Sequence, residues 1–272
     1  METTNILNEM GLFYKDIYKD NHPFVYMGLY GSQNYGIETE QSDVDVKTII
    51  LPTKRELYLD KKKVSREKSN ENGGLNLIQD IRLMCNSFYK GNINFLEILY
   101  APYYMYNPKF EEPVFNLLKK RDKIANRSPL TLANVSRGMA LSKVKLFSKP
   151  TEGKKETIEK YGYDPKQLVH IIRLYDFLKR YYSSNDFEYS LKVTNNYVDF
   201  LRELKTSPVE LNKAKTFRDY FMEQLESFYQ LFLKKYGTEE ELKKSKARSE
   251  YAREILDNFI YDCLEIGQDY KK

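Results

Sequence analysis

The apolar run Phe24-Val25-Tyr26-Met27-Gly28-Leu29-Tyr30 breaks at Gly31-Ser32-Gln33-Asn34-Tyr35-Gly36 and resumes at Val46-Lys47-Thr48-Ile49-Ile50-Leu51, just past Ser42-Asp43-Val44-Asp45. Two short runs rich in β-branched and aromatic residues around a bend of small polar residues predict strand, turn, strand. Side chains alternate along a strand, so Asp43 and Asp45 share one face while Val44 and Val46 point into a core. At a rise of roughly 3.3 Å per residue their carboxylates stand about 7 Å apart, close enough to share a divalent cation. Gly31 lets the backbone approach an anion closely, and Ser32 adds a hydroxyl. Metal ligands beside a phosphate-sized bend point to nucleotidyl or phosphoryl transfer. The plainer reading is a polar strand edge with Asx turns.

At these residues the chain resembles the DNA polymerase beta-like nucleotidyltransferases, whose active-site motif is Gly-Ser followed by Asp-x-Asp. It is most similar to the branch of predicted nucleotidyltransferases associated with RNA repair, which runs Gly-Ser-x-x-Tyr-Gly and then Ser-Asp-x-Asp. Gly91-Asn92-Ile93-Asn94-Phe95-Leu96-Glu97-Ile98-Leu99 looks like that branch's Asn-Pro-Asn and Leu-Glu-Leu-Leu helix, with Ile93 in place of proline. Tyr163-Asp164-Pro165-Lys166, His170 and Arg173-Leu174 resemble its later block. The likeness extends roughly from residue 24 to residue 210. It implies an α+β fold: an N-terminal polymerase beta-like mixed sheet with helices, followed by a helical domain.

Several site assignments follow from the resemblance. Asp43 and Asp45 would hold Mg²⁺, with Mn²⁺ as a second candidate, and Gly31 and Ser32 would receive the phosphates of a nucleoside triphosphate. A third carboxylate would take the proton of the acceptor hydroxyl. Asp80, directly after the expected third strand, is the candidate third catalytic and metal-binding acid, and its competing reading is the N-cap of the next helix. Glu97 is the alternative. Should neither reach the metals, the chain would be a degenerate enzyme that binds nucleotides without turnover.

With 272 residues, 41% hydrophobic and 31% charged, the composition is that of a folded globular chain rather than a disordered one. Twenty-four Tyr and fifteen Phe supply core volume in the absence of Trp. No run of about eighteen apolar residues occurs, so no membrane span is expected. The first residues lack a basic stretch followed by an apolar one, so no secretory signal is expected. Cys85 and Cys263 both fall in expected helices, which fits reduced thiols in a cytoplasm. A net charge of +5 and a pI near 8.8 suit an RNA or nucleotide partner without selecting one.

Helical periodicity marks residues 5–19, and the polar stretch 60–74 reads as a mobile loop. Leu75–Gln79 reads as a strand, Asp80 to about Tyr89 and residues 92–101 as helical, and the chain is mainly helical from Arg121. We expect a catalytic domain over 1–122 and a helical domain over 123–272. Asp164-Pro165-Lys166-Gln167 opens a helix on which Lys166, His170 and Arg173 form one stripe. Leu168, Ile171, Ile172, Tyr175 and Leu178 take the opposite side. A stripe of three cationic or cation-capable groups suits a triphosphate or an RNA backbone; the plainer reading is a solvated helix face.

Together these readings favour transfer of a nucleoside monophosphate to a hydroxyl, with an RNA or tRNA 3′ end as the first acceptor. A protein hydroxyl, as in nucleotidyl-transferring toxin–antitoxin proteins, and a catalytically degenerate nucleotide or RNA sensor are the alternatives.

Overall fold

The computed structural model describes residues 3–18, 21–59, 61–151 and 153–268. Residues 1, 2, 19 and 60, at the edges of segments read from the sequence, lie outside the described residues. The chain divides into two compact units. The first takes its described residues from Met1–Asn34, Glu38–Arg127 and Lys246–Lys272, and the second from Tyr35–Ile37 and Ser128–Ser245.

The first unit opens with helix α1 (Thr3–Tyr18), strand β1 (Phe24–Tyr30), the short turn of helix α2 (Ser32–Tyr35) and strand β2 (Asp45–Ile50). Helix α3 (Lys54–Tyr58) and strands β3 (Ser65–Ser69) and β4 (Leu75–Asp80) follow. Next come α4 (Ile81–Tyr89), α5 (Ile93–Leu96), a 3₁₀ turn (Glu97–Tyr100), β5 (Tyr104–Tyr106), α6 (Glu111–Lys119) and α7 (Arg121–Ala125). The strands form one mixed sheet in the order β3-β4-β2-β1-β5. Only β2 and β4 run parallel; the other neighbouring pairs are antiparallel. This is the expected α+β architecture.

Alternation divides the sheet into two faces. One carries Met27, Leu29, Val46, Ile50 and Ile78, buried against Ile6, Met10, Phe13 and Ile17 of α1. Those α1 positions recur every three or four residues, which is why one stripe of the helix can cover the sheet. On the other face Tyr26 Oη donates to Ile98 O at 2.6 Å. A Cβ on Gly28 would stand 2.9 Å from both Ile98 Cβ and Ile98 O, so the 3₁₀ turn can lie against β1 only because residue 28 has no side chain.

The stretch 60–74, read from the sequence as a mobile loop, holds β3 instead. Ser65 to Ser69 pair with Gln79 to Leu75 in regular antiparallel register. An edge strand exposed on both faces needs no apolar residue; its stability comes from the ladder and from its turn. Glu9 of α1 fastens that turn, accepting from Asn70 Nδ2 at 2.7 Å and from Asn72 Nδ2 at 2.5 Å.

The second unit is helical: α8 (Pro129–Leu146), α9 (Lys155–Tyr161), α10 (Pro165–Ser184), α11 (Phe187–Leu191), α12 (Asn195–Thr206) and α13 (Leu211–Tyr236). Helix α10 starts as its sequence indicates, with Asp164 Oδ1 accepting from Lys166 N at 3.0 Å. It buries Leu168, Ile171, Ile172, Tyr175 and Leu178, packed with α8 and α13. Tyr175 meets Phe228 edge to face, Tyr182 meets Phe228 and Phe232 in the same way, and Phe221 lies tilted against Tyr175.

The last helix, α14 (Glu239–Gln268), starts in the second unit and ends in the first. Its later half buries Ala252, Ile255, Leu256, Phe259 and Cys263. Arg248 Nε donates to Arg127 O at 2.9 Å, and the Arg253 guanidinium lies 3.7 Å from the centre of the Tyr89 ring. Among the described residues no helix is long and apolar enough to cross a membrane.

Candidate active site

β1 ends at Tyr30, directly opposite Asp45, so the chain leaves β1 beside the first residue of β2. Gly31 then adopts φ +91°, a left-handed conformation that glycine enters without steric cost, and this turns the chain into Ser32. A Cβ on Gly31 would stand 3.8 Å from Asp45 Oδ2, an ordinary contact. The backbone, not lack of room, therefore requires glycine here. Asn34 is buried and ties the turn down, its Nδ2 donating to Leu29 O at 2.8 Å.

Of the two aspartates read from the sequence, Asp45 begins β2 and Asp43 lies in the extended stretch just before it. Asp45 is half-buried, and its Oδ1 accepts from Leu75 N at 3.0 Å. Asp43 is exposed; its carbonyl accepts from Gln33 Nε2 at 2.7 Å. A Cβ on Gly73 would stand 3.3 Å from Asp43 Oδ1, so this carboxylate faces the β3–β4 turn. Gly31, Ser32, Asp43 and Asp45 thus gather around the ends of β1, β2 and the adjoining hairpin.

Asp80 does not join them. It pairs with Ile50, five positions beyond Asp45 along β2, which places it roughly 16 Å away at a strand rise of about 3.3 Å. It also shares the parity of Asn76 and Ile78, the face packed on α1, whereas Asp45, one position before Val46, lies on the opposite face. Its carboxylate is 1% exposed and fully engaged. It caps α4 by accepting from Arg82 N at 2.9 Å and holds Arg82 Nε and Nη2 at 3.0 and 2.6 Å. The competing reading, a helix cap, is the one realised, and the Asp80 carboxylate is taken up by Arg82. Among the described residues no three His, Cys, Asp or Glu side chains are grouped to hold a metal ion.

Two residues on the site's face carry more than the motif announced. Lys47 follows Asp45 by two positions and so shares its face; it is buried, 3.7 Å from Glu97 Oε1 and 3.1 Å above the centre of the Tyr30 ring. Glu97 is fully buried and accepts from Gly31 N at 3.1 Å. Burial, with the charges of Asp45, Glu97 and Glu67, pushes the Tyr30 hydroxyl well above its ordinary range. Glu67 reaches this face because it pairs with Leu77, which pairs with Lys47. The alternation Asp43, Asp45, Lys47 was the available signal for the lysine; nothing in the sequence announced Glu67.

In the second unit the α10 stripe separates by depth: Lys166 is exposed, His170 half-buried and Arg173 2% exposed. Arg173 stacks its guanidinium 3.9 Å from the centre of the Tyr35 ring. The stretch Tyr35–Ile37 is held further by Val193 N on Tyr35 O, Arg202 Nη2 on Gly36 O and Lys205 Nζ on Ile37 O, at 2.9, 3.2 and 3.0 Å. His170 Nδ1 is buried without a hydrogen-bond partner among the described residues. Desolvation first, then the charges of Arg173, Lys143, Lys166 and Lys205, hold its pKa well below the ordinary histidine value, so the imidazole is neutral. Lys143 of α8 is pushed down as well, by burial and by Arg173. Lys143 and Lys205, from two further helices, thus extend the predicted stripe into a cationic cluster.

No curated protein matches the chain. A family model, RlaP, matches residues 13–260, and the chain therefore belongs to the RNA repair pathway DNA polymerase beta family.

Proposed function

We propose that this protein transfers a nucleoside monophosphate from a nucleoside triphosphate to a hydroxyl, with an RNA 3′ end as acceptor. The observation that carries the reading is the left-handed Gly31, set between the carboxylates of Asp45 and Glu97 at the mouth of β1. The Gly31 amide is already engaged by Glu97, so phosphate oxygens fall to the Ser32 hydroxyl. Asp43 and Asp45 fit Mg²⁺ or Mn²⁺ brought by the nucleotide, since such ions take one or two carboxylates and complete their shell with phosphate and water oxygens. An ion held by Asp43 and Asp45 would supply positive charge against the charge that develops on the transferred phosphoryl group. The cationic cluster of Lys143, Lys166, His170, Arg173 and Lys205 suits triphosphate or RNA phosphate, with His170 acting as a neutral hydrogen-bonding group.

A second reading has one observation in its favour. Asp80 is committed to Arg82, and no acid stands on β4 at the face of Asp45, where Leu75, Leu77 and Gln79 lie. A nucleotide or RNA sensor without turnover would need no third acid. The test incubates the protein with each α-labelled triphosphate and Mg²⁺, with and without RNA bearing a free 3′ hydroxyl. Label on RNA supports the transferase, label on protein a protein-modifying enzyme, and binding without pyrophosphate release the sensor. No binding of any triphosphate or of RNA defeats all three.

A further inference from the structure

Glu97 is the most enclosed acid on the site's face, and the purpose of that enclosure is readable from its partners. A carboxylate without water around it persists only where it is paired and hydrogen-bonded. Glu97 has both: Oε2 accepts the Gly31 amide at 3.1 Å, and Oε1 faces Lys47 Nζ at 3.7 Å. Lys47 is itself enclosed, with the Tyr30 ring 3.1 Å below it and the centre of the Phe95 ring at 5.3 Å. Asn34 closes the arrangement, its Nδ2 lying 2.8 Å from Leu29 O and 3.5 Å from Glu97 O. The 3₁₀ turn that delivers Glu97 reaches this depth because Gly28, opposite Lys47, leaves room for Ile98.

An acid that ligates a metal or takes a proton must show an oxygen to the cavity. Glu97 turns one oxygen to a main-chain amide and the other to a buried ammonium. We infer that Glu97 and Lys47 form a positioning pair: Glu97 fixes the Gly31 amide, and with it the direction of Ser32, while Lys47 balances the buried charge. The pair sets how tightly the turn grips phosphate and stands outside the proton and metal chemistry. This rests on the proposed nucleotidyltransferase reading and supplies the regulation of its phosphate turn.

The test uses the full chain as wild type, Glu97→Ala, Glu97→Gln, Lys47→Met, the Glu97→Gln/Lys47→Met double variant, and Asp45→Asn for comparison. Hydrogen exchange at the Gly31 amide is read first, since it needs no activity. Glu97→Ala should cut Gly31 protection by about tenfold or more, the loss of one charge-assisted hydrogen bond, while Asp45→Asn leaves it near wild type. Unchanged protection in Glu97→Ala overturns the inference even if no triphosphate binds. That separates its failure from failure of the proposed function.

Triphosphate affinity and the split between KM and kcat follow. Glu97→Gln and Lys47→Met each remove one charge of the buried pair, so KM rises about tenfold with a smaller change in kcat. The double variant is neutral and of similar shape and should return KM to within about threefold of wild type. A double variant as slow as Asp45→Asn, with its loss in kcat, shows Glu97 acting on the reacting groups and overturns the inference. Should a single variant fail to fold, rescue of folding by the double variant still reports the pairing, and absence of rescue counts against it.

Discussion

Replacing Asp80 with Ala should unfold the protein more easily without touching its chemistry. The side chain is 1% exposed and makes three contacts with Arg82: the cap to N at 2.9 Å, and the fork to Nε and Nη2 at 3.0 and 2.6 Å. Removing one partner of a buried pair costs about 3–5 kcal/mol, and an N-cap about 1 kcal/mol. Arg82 keeps 19% of its side chain exposed, so water recovers part of the lost pairing. We therefore expect about 2–4 kcal/mol from Asp80→Ala, and less from Asp80→Asn, which keeps a capping oxygen. Urea unfolding followed by circular dichroism measures this, and adding Arg82→Ala and the double variant isolates the coupling. Label transfer, corrected for the folded fraction, should stay at wild type. Two results refute the reasoning: an Asp80→Ala protein as stable as wild type, or one folded yet as inactive as Asp45→Asn.

Asp45→Asn, by contrast, should leave the unfolding midpoint nearly unchanged and slow label transfer at least about a hundredfold, since a metal-binding carboxylate contributes several kcal/mol to the barrier. Gly28→Ala should cost about 1–3 kcal/mol in urea unfolding, because the new methyl meets Ile98 Cβ and its carbonyl at 2.9 Å. The Ile98 carbonyl is main chain, so Ile98→Ala in the same protein should not restore the loss. His170 binds its proton less readily folded than unfolded, where its pKa is near 6.5. The unfolded chain thus holds more protons below that value, and stability present at neutral pH is lost as pH falls through 6.5 toward the depressed folded pKa. Unfolding midpoints from pH 8 to pH 5 should fall less steeply in His170→Gln than in wild type; parallel curves would show that His170 is not the group responsible.

Elements with a buried face were legible in the sequence. β1 and β2 show apolar runs, and α10 shows its cap, its first-turn proline and its apolar side, because burial imposes those patterns. β3 was hidden for the converse reason: Ser65 to Ser69 are mostly exposed, and only the β4 ladder and the Glu9 clamp reveal them. Gly31, Ser32 and Asp45 were visible as a local motif because adjacent residues build the turn. The face on which Asp80 lies was not legible, because it depends on the register between β2 and β4, which no local pattern encodes. Lys205 and Glu67 reach their clusters through tertiary packing alone, and the partnership of Glu97 with Lys47 joins residues fifty positions apart.

The path of α14 has a consequence for how the molecule is made. A ribosome releases residues 128–245 before any residue from Lys246 onward, yet those last residues supply Ala252, Ile255, Phe259 and Cys263 to the interior of the sheet-bearing unit. The helical unit therefore has its whole sequence in hand while the sheet-bearing unit still lacks Ala252, Ile255, Phe259 and Cys263. Birth order and nesting order are opposed: the part begun first is the part completed last.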